Sequence, residues 1–192
     1  QYPYYVVTEF ASDREDTAAA AMAAFEHCME QGWVADGVIA ASEAQAAQIW
    51  RLREGITEAT VKYKPYKNDI AVRVSAMPAF LARAQALLGQ AYPHFEVVWF
   101  GHIGDGNLHI SVLKPADAAE DEFVEQCGQV TELLGQALKT HGGSISAEHG
   151  IGLLKKPYLD STRSQAEVAL MRGIREVFDP NRILNPGKMF DA

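Results

Sequence analysis

Apolar residues recur along this chain at two spacings, one typical of helices and one typical of strands. Spacings of three and four residues predict five helices. The first three follow Ser12-Asp13, Ser42-Glu43 and Met77-Pro78, the fourth spans residues 118–140, and the fifth lies after Pro157. β-rich runs predict strands at residues 4–10, 33–41 and 69–74, two strands within residues 97–112, and a short one beginning at residue 144. The apolar faces of the helices, including that of the last helix around Met171 and Ile174, are expected to face the core.

This order of elements, β-α-β-α-β-α-β-β-α-β-α, indicates the α+β class. It predicts two ferredoxin-like α/β units, each an antiparallel sheet with helices packed on one side. No low-complexity linker divides residues 1–192, so we expect one domain. The glycine-rich stretch from Gly101 to Gly106 precedes a strand and not a helix, which excludes a Rossmann dinucleotide site.

The run from Val97 to Val112 predicts a β-hairpin that carries two histidines. With Asp105-Gly106 as a two-residue turn, His102 lies opposite His109. Residues opposite each other in an antiparallel pair have Cβ atoms roughly 4.5–5.5 Å apart, which allows two imidazoles to bind one metal ion. A solvated histidine pair, or one core histidine, is the alternative interpretation.

A third metal ligand is available later in the chain. Residues 144–152 predict a short strand that enters a glycine-bounded corner and contains Glu148 and His149. Neighbouring residues of an extended segment point to opposite sides, so one can reach the hairpin while the other faces a substrate. Two histidines and one carboxylate with open positions are typical of a catalytic metal site.

Composition narrows the classes of function. The formal net charge of -8 argues against a surface that tracks nucleic acid phosphates. The basic stretch from Lys62 to Lys67 is then a local anion site or a solvated loop. Cys28 and Cys127 show no ligand-like spacing and predict free thiols in a reducing compartment, which indicates a cytoplasmic location. The chain does not begin with Met, and we expect it to be a fragment of a longer protein.

Arg53 and Thr57 stand four residues apart in the second predicted helix and are expected to share one face. A guanidinium fork and a hydroxyl on one face can hold a carboxylate. Spacing alone also allows a second interpretation, in which Arg53 is an arginine on the protein surface that binds no carboxylate.

Three separated motifs resemble one known family. They are His102-Ile103-Gly104-Asp105-Gly106-Asn107-Leu108-His109, Glu148-His149-Gly150-Ile151-Gly152 with Lys155, and Asp179-Pro180-Asn181 followed by Leu184-Asn185-Pro186-Gly187-Lys188. In this order they are similar to the C-terminal domain of FAD-linked oxidases, a family that includes D-lactate dehydrogenase, the glycolate oxidase D subunit and D-2-hydroxyglutarate dehydrogenase. The resemblance implies a cap and substrate domain whose FAD is bound mainly by an N-terminal domain of the same polypeptide, outside these 192 residues.

The resemblance also implies roles for residues. His102, His109 and Glu148 would ligate zinc or a similar divalent ion, and His149 would take the substrate hydroxyl proton as hydride passes to the flavin. Arg53, Thr57 and Lys67 match the hydroxyglutarate branch, where they hold the distal carboxylate of a diacid. Ser111 is also expected to bind the substrate, since its hydroxyl group can donate to a carboxylate. It stands where some members of that branch have asparagine, which reaches further, and this difference leaves lactate, malate and 2-hydroxyglutarate open as substrates.

The terminal motif places Asn185 and Lys188 near the flavin by the same resemblance. The expected partners are a small 2-hydroxy acid and the FAD domain, with no nucleic acid. A homodimer and attachment at a membrane surface stay open, and the sequence does not identify the electron acceptor. Two other functions compete with the dehydrogenase: a free-standing metal-dependent hydrolase, and a noncatalytic module that binds a metal or an anion.

Overall fold

The computed structural model describes residues 2–11 and 16–191, and the chain divides into two compact units, Gln1–Ala59 and Thr60–Ala192. The described residues form seven α-helices: α1 (Thr17–Glu30), α2 (Glu43–Glu54), α3 (Ile56–Val61), α4 (Met77–Ala91), α5 (Glu120–Gln126), α6 (Val130–His141) and α7 (Gln165–Phe178). They also form four strands: β1 (Tyr66–Val72), β2 (Val97–His102), β3 (Asn107–Val112) and β4 (Gly143–Ser144). No helix in this part of the chain is both long and apolar enough to cross a membrane.

The first unit differs from the predicted βαβα pattern. Helix α2 begins where predicted, because the Ser42 hydroxyl accepts a hydrogen bond from the Gln45 backbone N–H at 3.3 Å. Residues 4–10 and 33–41 form no strand, although their composition favours one. A strand requires a neighbour for its backbone N–H and C=O groups, which local composition cannot supply. Helix α1 buries no residue, and the cap predicted at Ser12-Asp13 lies outside the described residues.

The second unit has one antiparallel sheet with the strand order β2-β3-β1-β4. Its core joins one face of the sheet to helices α4, α5 and α6 through residues such as Ile70, Phe80, Ile110, Phe123 and Leu134. The α+β class, with helices packed on an antiparallel sheet, is therefore confirmed. The described residues contain one four-stranded sheet, where the sequence predicted two ferredoxin-like units with a sheet in each.

The hairpin forms with a longer turn than predicted. Residues Ile103–Asp105 make a 3-10 turn and Gly106 takes a left-handed conformation with φ 68°. His102 consequently pairs with Asn107, and His109 pairs with Phe100. A Cβ atom on Gly106 would lie 1.9 Å from the Val72 carbonyl oxygen, so the close approach of β1 leaves room only for glycine at this position.

The predicted helix over residues 118–140 is interrupted. Helices α5 and α6 are separated by a 3-10 turn, Cys127–Gln129. The core positions expected from the spacing are nonetheless buried, including Phe123, Cys127, Val130 and Leu134.

The prediction for the last helix is wrong in one respect. Helix α7 begins with a capping box in which the Ser164 and Glu167 side chains bond each other's backbone N–H groups. None of its residues is buried, and Ile174, Val177 and Phe178 are exposed. Spacing defines which residues share a face, but it does not supply an element to cover that face.

Candidate functional site

The face of the sheet opposite the helices carries four of the polar residues predicted to form the site: Lys67, His102, His109 and Ser111. In β1, Asn68 and Ile70 are buried against the helices, so the alternating residues Lys67 and Asp69 face the other way. In the register between β1 and β3, Asp69 pairs with His109 and Lys67 pairs with Ser111. The sheet therefore brings together residues that lie 40 and 44 positions apart in the sequence.

The two hairpin histidines remain neighbours despite the changed register. The shift is two residues, which preserves the face on which each side chain lies. Their ring centroids are 5.4 Å apart, with the ring planes almost perpendicular. His102 and His109 are thus a diagonal pair and not the directly opposed pair that the sequence predicted.

Asp69 joins the hairpin to the segment that follows β4. Its Oδ1 atom lies 2.6 Å from His109 Nδ1, within hydrogen-bond distance. Its Oδ2 atom lies 3.8 Å from His149 Nε2. Asp69 received no role from the sequence. Only the pairing of β1 with β3, which is not local, identifies it as the neighbour of His109.

Glu148 and His149 lie in a turn and not in the extended segment that was predicted. The His149 backbone N–H donates to the Ser146 carbonyl at 2.7 Å, and Ala147 takes a φ of 44°. Because the backbone turns here, both side chains approach the same cluster: Glu148 Oε1 lies 4.0 Å from His149 Nε2. Asn107, the strand partner of His102, donates a hydrogen bond to Glu148 Oε2 at 2.7 Å.

The fit of a metal ion to these residues is partial. The paired imidazoles suit a two-histidine half-site, and the contact of His109 Nδ1 with Asp69 leaves Nε2 as the nitrogen available for a ligand. The Glu148 carboxylate is instead held by Asn107. Within residues 2–11 and 16–191, no group of three or more His, Cys, Asp or Glu side chains is arranged to hold a metal. The three-ligand site of His102, His109 and Glu148 stays a prediction.

A cavity of about 360 Å³ opens beside this cluster. Its lining includes Asp69, Ser146 and His149, together with the glycine-containing segment from Gly150 to Lys155. His149 is 60% exposed, so its ring is accessible to a molecule in the cavity.

Lys155 lies at the inner side of this cavity. Its ammonium donates to Asn68 Oδ1 at 2.8 Å, and the Thr131 hydroxyl donates to the same oxygen at 2.8 Å. Burial lowers the pKa of Lys155, while the charge of Asp69 acts in the opposite direction. The sequence placed Lys155 in the motif without a role. The structure makes it a half-buried cation that holds the side chain of Asn68, the neighbour of Asp69 in β1.

Arg53 and Thr57 belong to two consecutive helices. Helix α2 ends at Glu54, Gly55 separates it from α3, and Thr57 lies in α3. The single helix face expected for this pair is therefore interrupted at Gly55. Both residues belong to the first unit, and their role in holding a carboxylate stays a prediction.

Asn185 and Lys188 lie in the segment that follows α7, and both side chains are exposed. Asn185 takes a φ of 45°, and its carbonyl accepts a hydrogen bond from the Lys188 N–H at 3.2 Å. Their contact with FAD stays a prediction.

The basic stretch forms a second cavity, of about 570 Å³, with Lys62, Lys64 and Lys114 in its lining. Lys64 forms an ion pair with Glu120, which lowers the pKa of that carboxyl group. Lys114 donates to the carbonyl oxygens of Pro115 and Ala118 at 2.9 and 2.7 Å. Two of these ammonium groups are therefore bound by the chain itself, which favours a structural role over an anion site.

Comparison with known proteins gives consistent matches over the whole chain. The family model described as "FAD linked oxidases, C-terminal domain" matches residues 1–189. The chain is 70% identical over 191 residues to a D-2-hydroxyglutarate dehydrogenase of Xanthomonas citri pv. viticola, covering 100% of this chain and 40% of that protein. It is 50% identical over 190 residues to a D-2-hydroxyglutarate dehydrogenase of Stutzerimonas stutzeri, covering 99% and 41%.

A more distant relative carries a different name. The chain is 35% identical over 199 residues to a putative mitochondrial D-lactate dehydrogenase of Schizosaccharomyces pombe, covering 98% of this chain and 37% of that protein. In all three cases the chain spans about two fifths of the relative's length.

Proposed function

Because the chain belongs to the family of FAD-linked oxidase C-terminal domains, we propose that it is the substrate-binding domain of an FAD-dependent D-2-hydroxy-acid dehydrogenase. The enzyme oxidises the hydroxy acid to the 2-oxo acid, and the rest of the polypeptide carries most of the FAD. The observation that carries this proposal is the cluster of Asp69, His109 and His149 beside a cavity of about 360 Å³.

The oxidation removes a hydride from Cα and a proton from the hydroxyl group of the substrate. Bound FAD supplies the hydride acceptor. His149 takes the hydroxyl proton at Nε2, the atom that lies 3.8 Å from Asp69 Oδ2 and 4.0 Å from Glu148 Oε1. These two carboxylates attract the positive charge that the ring acquires in the transfer.

Lys67 binds a substrate carboxylate in this proposal. It is exposed on the same face of the sheet as His109 and pairs across the strands with Ser111. The Ser111 side chain is only 3% exposed, so its hydroxyl group is less accessible than the Lys67 ammonium group. An ammonium group two residues from Asp69 can hold the carboxylate while the hydroxyl group of the substrate faces His149.

The proposed substrate is a five-carbon diacid, D-2-hydroxyglutarate. Two relatives at 70% and 50% identity carry this substrate in their names. Arg53 and Thr57 hold the distal carboxylate in the proposal, as the resemblance to the hydroxyglutarate branch implies. D-Malate and D-lactate are the competing substrates, and the name of the yeast relative keeps D-lactate among them.

The proposal includes a bound divalent metal ion, with zinc as the first candidate, but the proposed reaction does not require it. When bound, it would polarise the substrate hydroxyl group. His102 and His109 are the side chains placed to hold it, with Asp69 orienting the His109 ring. Glu148 would become the third ligand only if its hydrogen bond from Asn107 were broken. For this reason no step of the proposed reaction depends on the ion.

We further propose that Asn185 and Lys188 contact the flavin and that the protein is cytoplasmic. The exposed positions of both side chains support the first point. Both cysteines are free, as predicted: Cys127 is buried and Cys28 is half-buried, which fits a reducing compartment. A homodimer is compatible with the proposal, and the final electron acceptor is a separate question for experiment.

The decisive experiment uses the full-length, FAD-containing enzyme. Mixing it anaerobically with D-2-hydroxyglutarate, D-malate or D-lactate in a stopped-flow instrument should bleach the flavin absorbance, fastest with D-2-hydroxyglutarate. His149→Ala should slow this reduction by about 10²- to 10⁴-fold, the range for removal of a general base. His94→Ala, which changes an exposed histidine in a loop, is the matched control. If none of the three acids reduces the flavin, the proposal is wrong.

A further inference from the structure

The position of the His149 ring depends on the backbone that carries it. Its Nε2 atom lies 3.8 Å from Asp69 Oδ2 and 4.0 Å from Glu148 Oε1, and both distances exceed that of a hydrogen bond. The side chain is 60% exposed, so packing restricts it little. The place of the ring in the cluster is therefore set mainly by the turn that contains His149 and by the segment that follows it.

The segment after the base, residues 150–155, has little apolar packing of its own. It contains two glycines, Gly150 and Gly152, and Gly152 takes a left-handed φ of 58° that glycine adopts at little cost. Leu153 and Leu154 are 57% and 86% exposed. A short segment of this composition needs contacts with other elements to hold one conformation.

Contacts at the middle and at the end hold this segment. Ile151 packs against the hydrophobic core, and the Gly152 carbonyl accepts a hydrogen bond from the Met189 backbone N–H at 2.9 Å. At the end of the segment, the Lys155 ammonium donates to Asn68 Oδ1 at 2.8 Å. The contact of Lys155 differs from the others because it joins the segment to β1, the strand that carries the carboxylate beside the base.

The Asn68 side chain is held in one orientation by its oxygen atom. It is only 1% exposed, and the Thr131 hydroxyl of α6 donates to the same Oδ1 at 2.8 Å. Among the residues that the structure describes, its Nδ2 atom has no hydrogen-bond partner. A buried donor without a partner costs stability. The stability of the core alone therefore does not explain an amide here, whereas the binding of Lys155 does.

We propose that Lys155 is a positioning residue for His149. Its hydrogen bond to Asn68 holds the segment that follows the base in place beside β1. Because Asn68 and Asp69 are neighbours in that strand, the strand fixes both the base and the carboxylate that the base faces. Lys155 acts through the backbone and not on the substrate. For the role of His149 as the base, the proposal rests on the proposed function.

Flavin reduction in the full-length, FAD-containing enzyme tests this role. Lys155→Met removes the donor and keeps an unbranched side chain. With D-2-hydroxyglutarate it should lower the limiting rate of flavin reduction by about 10- to 100-fold, because a misplaced catalytic group is costly. The dissociation constant of the substrate should stay within about twofold. Lys155→Arg, which can still donate to Asn68, should restore part of the rate. Lys139→Met changes an exposed lysine of α6 and should change neither quantity.

The same measurement separates positioning from direct binding of the substrate, since Lys155 also lines the cavity. A raised dissociation constant with an unchanged limiting rate would overturn the proposal. In a His149→Ala background no base remains to be positioned, so adding Lys155→Met should lower the rate by less than about twofold more. An equal loss in both backgrounds would contradict an action through His149.

Amide hydrogen exchange tests the anchor without turnover. Lys155→Met should raise the exchange of residues 149–155 by about tenfold or more and leave that of α4 unchanged, which also shows that the variant is folded. Thr131→Val removes the other donor to Asn68 and should give a smaller increase in the same residues. Unchanged exchange in the segment would overturn the proposal even in an active enzyme. Faster exchange in an enzyme whose flavin no hydroxy acid reduces would support the anchor and reject the proposed function.

Discussion

Asp69 Oδ1 lies 2.6 Å from His109 Nδ1, and the two residues are direct partners in the register between β1 and β3. The contact orients the imidazole ring and makes Nε2 the nitrogen available to a ligand. The same carboxylate approaches His149 through its other oxygen. One side chain in the middle of the sheet therefore links the hairpin to the segment that carries the proposed base.

We expect Asp69→Asn to lower kcat/KM of the full-length enzyme by about 10- to 100-fold, the usual cost of losing a carboxylate that orients a functional histidine. Nitrogen NMR of labelled histidine should show the proton of His109 on Nδ1 in the parent protein and a mixture of tautomers in the variant. Asp69→Glu should restore part of the activity. The exposed loop variant Asp117→Asn is the control and should change neither quantity.

The metal prediction concerns the paired histidines. We expect the full-length enzyme to contain about one divalent ion per chain, and His102→Ala to remove it, because the variant keeps only one of the two imidazoles placed to bind the ion. Elemental analysis of the purified proteins is the measurement. His94→Ala should retain the metal. A His102→Ala protein with unchanged metal content would eliminate this site.

The proposed diacid site predicts an effect that depends on the substrate. Arg53→Ala should lower kcat/KM for D-2-hydroxyglutarate by about 10- to 100-fold, equivalent to about 1.5–3 kcal/mol for a charged hydrogen bond. D-Lactate has no distal carboxylate, so its kcat/KM should change little. Arg51→Ala alters an exposed arginine in the same helix and serves as the control. Equal losses for both substrates would remove Arg53 from substrate recognition.

The buried thiol predicts a dependence of stability on pH. Burial raises the pKa of Cys127 from 9.0 to about 11. Between these values the unfolded chain releases the thiol proton and the folded chain retains it. The free energy of unfolding should therefore fall as pH rises through this window, by at most about 1.4 kcal/mol per pH unit for one group.

Urea denaturation at several pH values measures this effect as a difference between proteins, because other groups titrate in the same range. Cys127→Ala should lose this part of the pH dependence, and Cys28→Ala should keep it. In the folded protein a thiol reagent should label the half-buried Cys28 well before the buried Cys127. Rapid labelling of Cys127 would contradict its burial.

Local sequence determined much of this protein. The spacing of apolar residues located the core positions of α4, α5 and α6, and Ser42 marked the start of α2, because caps and amphipathic faces depend on residues only a few positions apart. Asp105-Gly106 correctly indicated a hairpin. The motif Glu148-His149, with the hairpin histidines and the terminal motif, indicated the family that the comparison confirmed.

Tertiary structure decided the features that depend on neighbours distant in the sequence. Gly106 lies where β1 leaves no room for a side chain, and the register of β2 with β3 makes His102 and His109 a diagonal pair. The pairing of β1 with β3 placed Asp69 against His109, a contact that residue spacing within one element cannot predict. The apolar spacing of α7 defined a face but could not say what covers it, since a covering surface must come from another part of a polypeptide.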